Sequence, residues 1–468
     1  MNLPLRFFAI LLAIGLNCSL SYAKSFRIKS VTEYDRISQA ADPGDTVCWE
    51  NGLYADVTWN INQNGLVVQA EKSGMVTFTG SSSVRISADR VIFSGFQFKD
   101  GSINGDVVEV SGNRILVREM NISAYHSHYF LHLTSKGSYN TVENCNFENK
   151  PPAPAGKEGT SIFQVAVDSI HPGNHIIRYC SFKNHTAPEN SGGDYGMEAL
   201  RIGYSYQSKF ISRTIVEYCY FTRCNGDGEI ISNKARENIF RYNTFDGNNG
   251  SHLTLRHGRD NVVYGNFFLH GAGIRIKEGQ NLMVYNNYFS TGADFAIRLE
   301  NYKVDPLKNI VIAHNSFTGS GTIKLGGKGD FQPKMVRFCN NLIANLTTSI
   351  LSDLTGKETF DNNAVQSELP LPFPSGFFKT TTALEMNSLG YLQPGNPIPY
   401  PKNIATTYSI LDIPDKDDDP KIELDIMQNH RPVTKNKKEP GCFQFGGKAM
   451  VHPYAGIQNT GPAYLHNN

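Results

Sequence analysis

The chain has 468 residues, 40% of them hydrophobic and 19% charged, with 42 Gly, 28 Phe and a formal charge of +1. Such a length admits one large domain or a few ordinary ones, and the near-neutral sum argues against bulk binding of nucleic acid. Abundant Gly and Asn without long helical stretches favour an all-β chain rich in turns.

In chain order, residues 1–23 read as a signal peptide. Arg6 supplies the positive start, Phe7 to Leu16 the apolar core and Ser21-Tyr22-Ala23 a small-x-small cleavage site. That core is too short to span a bilayer, and no later segment is apolar enough. The mature chain is therefore expected to be exported, to the periplasm or beyond. Cys18 leaves with the signal, and Asn17 before it fits a lipoprotein site poorly. Seven cysteines remain, an odd number in a chain too large to need a disulfide framework.

From about residue 98 onward the chain repeats. A β-branched or aromatic residue, two others, Asn or Cys, any residue and a closing apolar residue recur as VENCNF, IRYCSF, VEYCYF, FRYNTF, VYGNFF, VYNNYF and IAHNSF. The closing residues are Phe98, Ile122, Phe147, Phe182, Phe221, Phe245, Phe268, Phe289, Phe317 and Leu342, spaced 21 to 28 apart except for two gaps of 35 and 39. A period near 24 with no helical pattern inside it predicts a right-handed parallel β-helix of about ten or more turns, three short strands per turn. Residues 24–60 are expected to cap the open end of its first turn. The two long gaps predict loops inserted at about 150–160 and 185–210. Two places before each closing residue stand Cys145, Cys180, Cys219, Asn243, Asn266, Asn287, Asn315 and Asn340, a column expected to stack as a thiol run followed by an asparagine ladder. The coil, residues 24–364, is expected to hold the active site. Residues 365–468, Pro-rich and without the repeat, are expected to form an irregular extension that packs back on it.

The period turns sequence gaps into neighbours. Lys234, Arg256, Lys277, Arg298 and Lys324 succeed one another at 21 to 26 residues, with Arg275 beside Lys277, so they are expected in one cationic column with few anions in register. Like charges on adjacent strands repel. Such a column suits a groove for a long polyanion, against the plainer reading of a solvated basic edge. Asp227 and Glu229, two apart on a strand, are expected to face that groove. They are either salt-bridge partners of Lys234 and Arg256 or, with Glu198 from the preceding long loop, oxygen ligands for a hard cation such as Ca²⁺. A uronate polymer is cut by taking the C5 proton and expelling the O4-linked sugar. The carboxylate must be neutralised, the proton abstracted and the leaving oxygen protonated. Lys234, its pKa lowered by nearby positive charge, suits the abstraction, and Arg256 one turn away reaches the same sugar. An arginine is hard to deprotonate, so His257 or a water are alternative donors.

These residues resemble polysaccharide lyase family 6, which contains alginate lyases and chondroitinase B. The matching phrases are NGDGEIISNKAREN at 225–238, LRHGRDNVVYGNFF at 255–268, GIRIKEGQNLMVYNNYF at 273–289 and EALRIGYS at 198–205. The resemblance covers about 30–345, with PGCFQFGG at 440–447 similar to the family's closing segment. It implies a parallel β-helix that cleaves alginate by β-elimination. Lys234 would then be the base, Arg256 the acid, and Ca²⁺ the ion that neutralises the substrate carboxylate. Asp227 and Glu229 fall on the family's calcium positions, Asp227 standing where a Glu is usual. The third ligand, commonly Asn, has no counterpart in NSGGDYGM, which leaves Glu198 or Asp194 to replace it. His257, Arg275, Lys277 and Arg298 look like groove residues that bind the substrate, the arginines by two-pronged contacts with carboxylates. Chondroitinase B-type cleavage of dermatan sulfate is the nearest alternative. A pectin-type hydrolase, suggested by Arg275-Ile276-Lys277, and a non-catalytic glycan-binding solenoid stand further off. The expected partner is thus an anionic polysaccharide, with no nucleic acid, membrane span or protein partner implied.

Overall fold

The computed structural model describes residues 23–466, apart from 154–158, 192, 272, 293, 301–306, 327–331, 345–349, 367–372, 399–422, 432–438 and 448–453. The expected signal peptide thus lies almost wholly outside the described residues. The chain winds as a parallel β-solenoid whose circuits each lay one short strand on each of three sheets, of 14, 12 and 14 strands. One circuit runs through Ile215–Glu217 in sheet A, Tyr220–Asn225 in sheet B and Glu229–Asn233 in sheet C, the 12-stranded sheet.

The repeat explains the packing. The closing phenylalanines pair turn upon turn, Phe182 with Phe221 and Phe245 with Phe268, and their rings stack at 4.7–5.1 Å from Phe147 to Phe317. That distance is the spacing of neighbouring strands, so backbone pairing fixes ring stacking. Each ladder asparagine is preceded by a corner residue in the left-handed region, such as Tyr242 (φ 57°), Asn286 (φ 53°) and His314 (φ 53°). Behind these corners the asparagines bond turn to turn. Asn243 N–H donates to Asn266 Oδ1 at 2.9 Å, and Asn266 N–H donates to Asn287 Oδ1 at 3.0 Å. Cys145, Cys180 and Cys219 continue the column as buried thiols, and all seven described cysteines are free.

Three expectations need correction. Asn340 is not in the ladder: it takes the left-handed corner (φ 52°), and Asn341 accepts from Asn315 N–H at 2.9 Å. Phe317 accordingly pairs with Ile343 rather than Leu342. The reason is the doubled asparagine at Asn340-Asn341, which lets the phrase be read in two registers, of which only one supplies a corner. Nor is 24–60 all cap. The cover is the helix Val31–Ser38, held at its start by Ser30 Oγ accepting Glu33 N–H and packed through Tyr34 on Trp59. A full circuit comes next, in Thr46–Trp49, Gly52–Ala55 and Thr58–Ile61.

At the other end, Phe377–Thr380 stacks in parallel on Asn363–Gln366, one strand beyond the expected end of the coil. Later segments return along sheet B. Phe443 packs on Tyr288, buried Arg431 bonds Asn286 Oδ1 and Gly441 O at 2.8 Å, and Gly461 N–H donates to Tyr179 O at 2.7 Å. No helix among the described residues is long and apolar enough to cross a membrane.

Candidate active site

Alternation along each strand of sheet C buries Leu200, Ile231, Leu253, Ile274 and Ile297 and turns their successors outward. The successors form a row, Gln164, Arg201, Ser232, Thr254, Arg275, Arg298 and Lys324, each level with the next. Two residues on, Arg256, Lys277 and Glu300 form a second row, and Lys234 comes after the level pair Asn233 and Leu255, beside Arg256. The single cationic column expected from spacing is therefore two rows. From Lys277 the true step is to Glu300, two residues past Arg298, so Arg298 keeps its outward face and changes row. Anions are not scarce either. Buried Glu300 binds Arg275 Nε and Nη2 at 2.8 Å and Arg298 Nη2 at 2.5 Å, which relieves the repulsion between the two guanidiniums.

At the start of these strands three buried carboxylates converge: Glu198, Asp227 and Glu229 present oxygens within 4.8 Å of one another. Asp227 lies in the turn before the strand Glu229–Asn233, not on it as expected. Its carboxylate is aimed by Gly196 N–H at 2.6 Å and Glu229 N–H at 3.0 Å. Burial, and then the charge of Glu198, push Asp227 up to about 7. Burial also raises Glu198, whose Oε2 accepts no hydrogen bond and has Arg201 Nη1 3.8 Å away. Glu229 Oε1 faces Arg256 Nη1 at 3.4 Å and Arg275 Nη1 at 3.7 Å, and its Oε2 takes a short bond from Ser232 Oγ. Three carboxylates desolvated together, one with a buried oxygen that accepts no hydrogen bond, make a donor set that a hard divalent cation fits. Asp194 is exposed and stands apart from this group.

Lys234 is half-buried, and its amine makes no hydrogen bond or ion pair among the described residues. Burial lowers its pKa, opposed by Glu198 and Glu229 and reinforced by Arg201 and Arg256. Arg256 keeps a buried Nε–H without an acceptor. His257 occupies a left-handed corner (φ 64°), its Nδ1 bound at 2.5 Å to Glu278, which is fully buried. Burial and then Arg256 and Arg275 lower the pKa of Lys277. On earlier circuits, ahead of the sheet C strands, a cavity of about 740 Å³ opens among Asn104, His126, His128, Lys150 and Pro152. Lys150 is buried there, donating to His128 O, Thr160 O and Ser161 O, and burial brings its pKa down to about 7.

Spacing did not reveal Glu300, Glu278 or Arg201. Glu300 stands one true circuit after Lys277, and Arg201 lies inside the phrase EALRIGYS, so the signals were present in the sequence.

With this geometry in place, comparison decides the family. The sequence model of chondroitinase B matches residues 28–322, more than half of the chain. The chain belongs to the chondroitinase B family. Solved structures agree in fold. The family 6 alginate lyase AlyGC superposes with a TM-score of 0.70 at 22% identity, over 92% of this chain and 59% of AlyGC. A mannuronic acid-specific family 6 lyase from human gut microbiota gives 0.65 at 24% identity, over 76% of this chain and 90% of that one. The family 6 polysaccharide lyase Pedsa3628 from Pseudopedobacter saltans gives 0.58 at 20%, over 73% and 92%. The chain thus spans less than two thirds of AlyGC. No curated protein sequence matches it significantly.

Proposed function

We propose that this protein is an exported polysaccharide lyase that cuts the 1,4-glycosidic bonds of alginate by β-elimination. The observation that carries the reading is that Lys234 and Arg256 directly follow the level pair Asn233 and Leu255 on neighbouring turns, near three converging buried carboxylates. A solved structure named as an alginate lyase and one named as mannuronic acid-specific, both on the same fold, support the choice of substrate.

In this reading the substrate lies along sheet C, with the carboxylates of successive sugars over Arg275, Arg298 and Lys277. Lys234 works as the free amine. It takes the C5 proton, the C5–H electrons form the C4=C5 double bond, and the C4–O bond breaks toward the leaving sugar. Arg256, its guanidinium part-exposed beside Lys234, gives a proton to the departing oxygen. Glu229 orients Arg256 and Arg275 through its ion pairs with both. Glu198, Asp227 and Glu229 would hold Ca²⁺, which when bound supplies the positive charge that makes the C5 proton acidic.

Incubation with alginate tests the reading, because the new double bond absorbs in the near ultraviolet. Rising absorbance is expected. Reducing ends without absorbance would mean a hydrolase, and neither signal a binding protein. The family's namesake activity favours one second reading, cleavage of dermatan sulfate. The same assay on that polymer separates the two.

A further inference from the structure

Past the strand Leu200–Ile202 the chain turns on Gly203 (φ 73°) and enters a short 3-10 helix, Ser205–Gln207. The turn is pinned. Gln207, buried, accepts Tyr204 N–H through its side-chain oxygen at 2.9 Å, and Lys234 N–H donates to Ile202 O at 2.8 Å from the next circuit. Tyr204 therefore leaves the coil one circuit from Lys234, on the edge where Lys234, Arg256 and Lys277 stand.

Its ring lies parallel to that of Tyr206, centroids 5.5 Å apart and planes at 7°. The Arg201 guanidinium sits over the Tyr204 ring at 4.8 Å. Arg201 is fixed by Gln164 Oε1 at 2.6 Å and Tyr129 OH at 2.9 Å, and Tyr129 OH bonds Tyr204 OH at 2.7 Å. Arginine, Tyr204 and Tyr206 thus form a stack built from a fully buried base, since Gln164 and Tyr129 are both buried. Its outermost member is 77% exposed. A rigid, pre-aligned aromatic face left in water beside a groove gives the fold little and is suited to a ligand's apolar face.

We propose that Tyr206, backed by Tyr204 and Arg201, is a sugar-binding platform that stacks on the C–H face of one pyranose. That pyranose lies on the side of the cleaved bond opposite Arg275 and Arg298. The two flanks then recognise the polymer differently, one by its carboxylates and the other by its ring faces. The proposal rests on the lyase reading for its substrate but not for its geometry.

Two variants test it. Tyr206→Ala is expected to raise KM for alginate tetrasaccharides about threefold to tenfold, the worth of one aromatic contact, with kcat within twofold. Tyr206→Trp should restore KM, since any aromatic face serves. In the Tyr206→Trp protein the new indole emission should shift on titration with mannuronate or guluronate tetrasaccharide, as Trp49 and Trp59 are buried at the far end of the coil. Emission unmoved while the protein cleaves the same tetrasaccharide overturns the platform and leaves the lyase standing. Emission that shifts without cleavage supports the platform and overturns the lyase. Neither response overturns both.

Discussion

The column inside the coil and the rows outside sheet C are built by the same device, one residue per circuit, yet they behave in opposite ways. Inside, Asn243, Asn266, Asn287, Asn315 and Asn341 repeat one residue type, and each satisfies its neighbour. Outside, Arg201, Ser232, Thr254, Arg275, Arg298 and Lys324 change from turn to turn, with Glu300 and the carboxylate triad set between them. A stacked repeat is stable where every circuit solves the same problem in the same way. It has a site only where successive circuits differ. The contrast predicts that substitutions in the two places damage different properties.

The largest effect is expected outside. Lys234→Ala should lower kcat by about 10²- to 10⁴-fold, with the melting temperature unchanged, because the amine holds nothing together. Burial lowers the Lys234 pKa, and in the proposed mechanism the free amine is the working form. In the wild type kcat/KM should therefore rise with pH through that lowered value, and the rising limb should vanish in the variant. A limb that persisted would move the base elsewhere. Next comes the Ca²⁺ proposed for the carboxylate triad. Exhaustive chelation should cut turnover on the order of 10²-fold and Ca²⁺ restore it, with the unfolding curve as a control for collapse. Activity that survived chelation would leave the triad as a plain acidic cluster.

Inside, the order reverses. Asn266→Ala leaves buried main-chain groups without partners, so it should cost about 1–3 kcal/mol in chemical denaturation, with kcat intact in the surviving fold. Cys180→Ala, in the same column, should cost less, since a thiol makes only weak hydrogen bonds. Equal losses at the two positions would mean that packing, not hydrogen bonding, sustains the column. Back outside, Glu300→Ala should act on binding rather than on turnover. Freeing Arg275 and Arg298 should raise KM about tenfold, in line with the loss of charge-assisted bonds, while kcat stays within twofold. A fall in kcat instead would tie Glu300 to the reaction step.

Much of this was legible because a solenoid writes its contacts into its period. Phe182, Phe221, Phe245, Phe268, Phe289 and Phe317 could be stacked from spacing alone, and so could the meeting of Lys234 with Arg256, which needs only one circuit to be counted correctly. Where the count drifts by two, as between Lys277 and Arg298, the reading failed. A strand's outward face recurs every second residue, so a slip of two preserves the face and hides the error. The doubled asparagine at Asn340-Asn341 failed for a related reason, since only backbone conformation tells a corner from a ladder position.

The sequence by itself determined the coil, its sheet-lining residues and the neighbourhood of the amine and the guanidinium, because these are set by a repeat length. Only the tertiary structure decided how the charges pair. The turn before Glu229 swings Asp227 back toward Glu198, Glu300 reaches between two arginines, and Gln164 and Tyr129 lock Arg201 under Tyr204. Those arrangements depend on side-chain length and loop path between circuits, quantities a period does not contain.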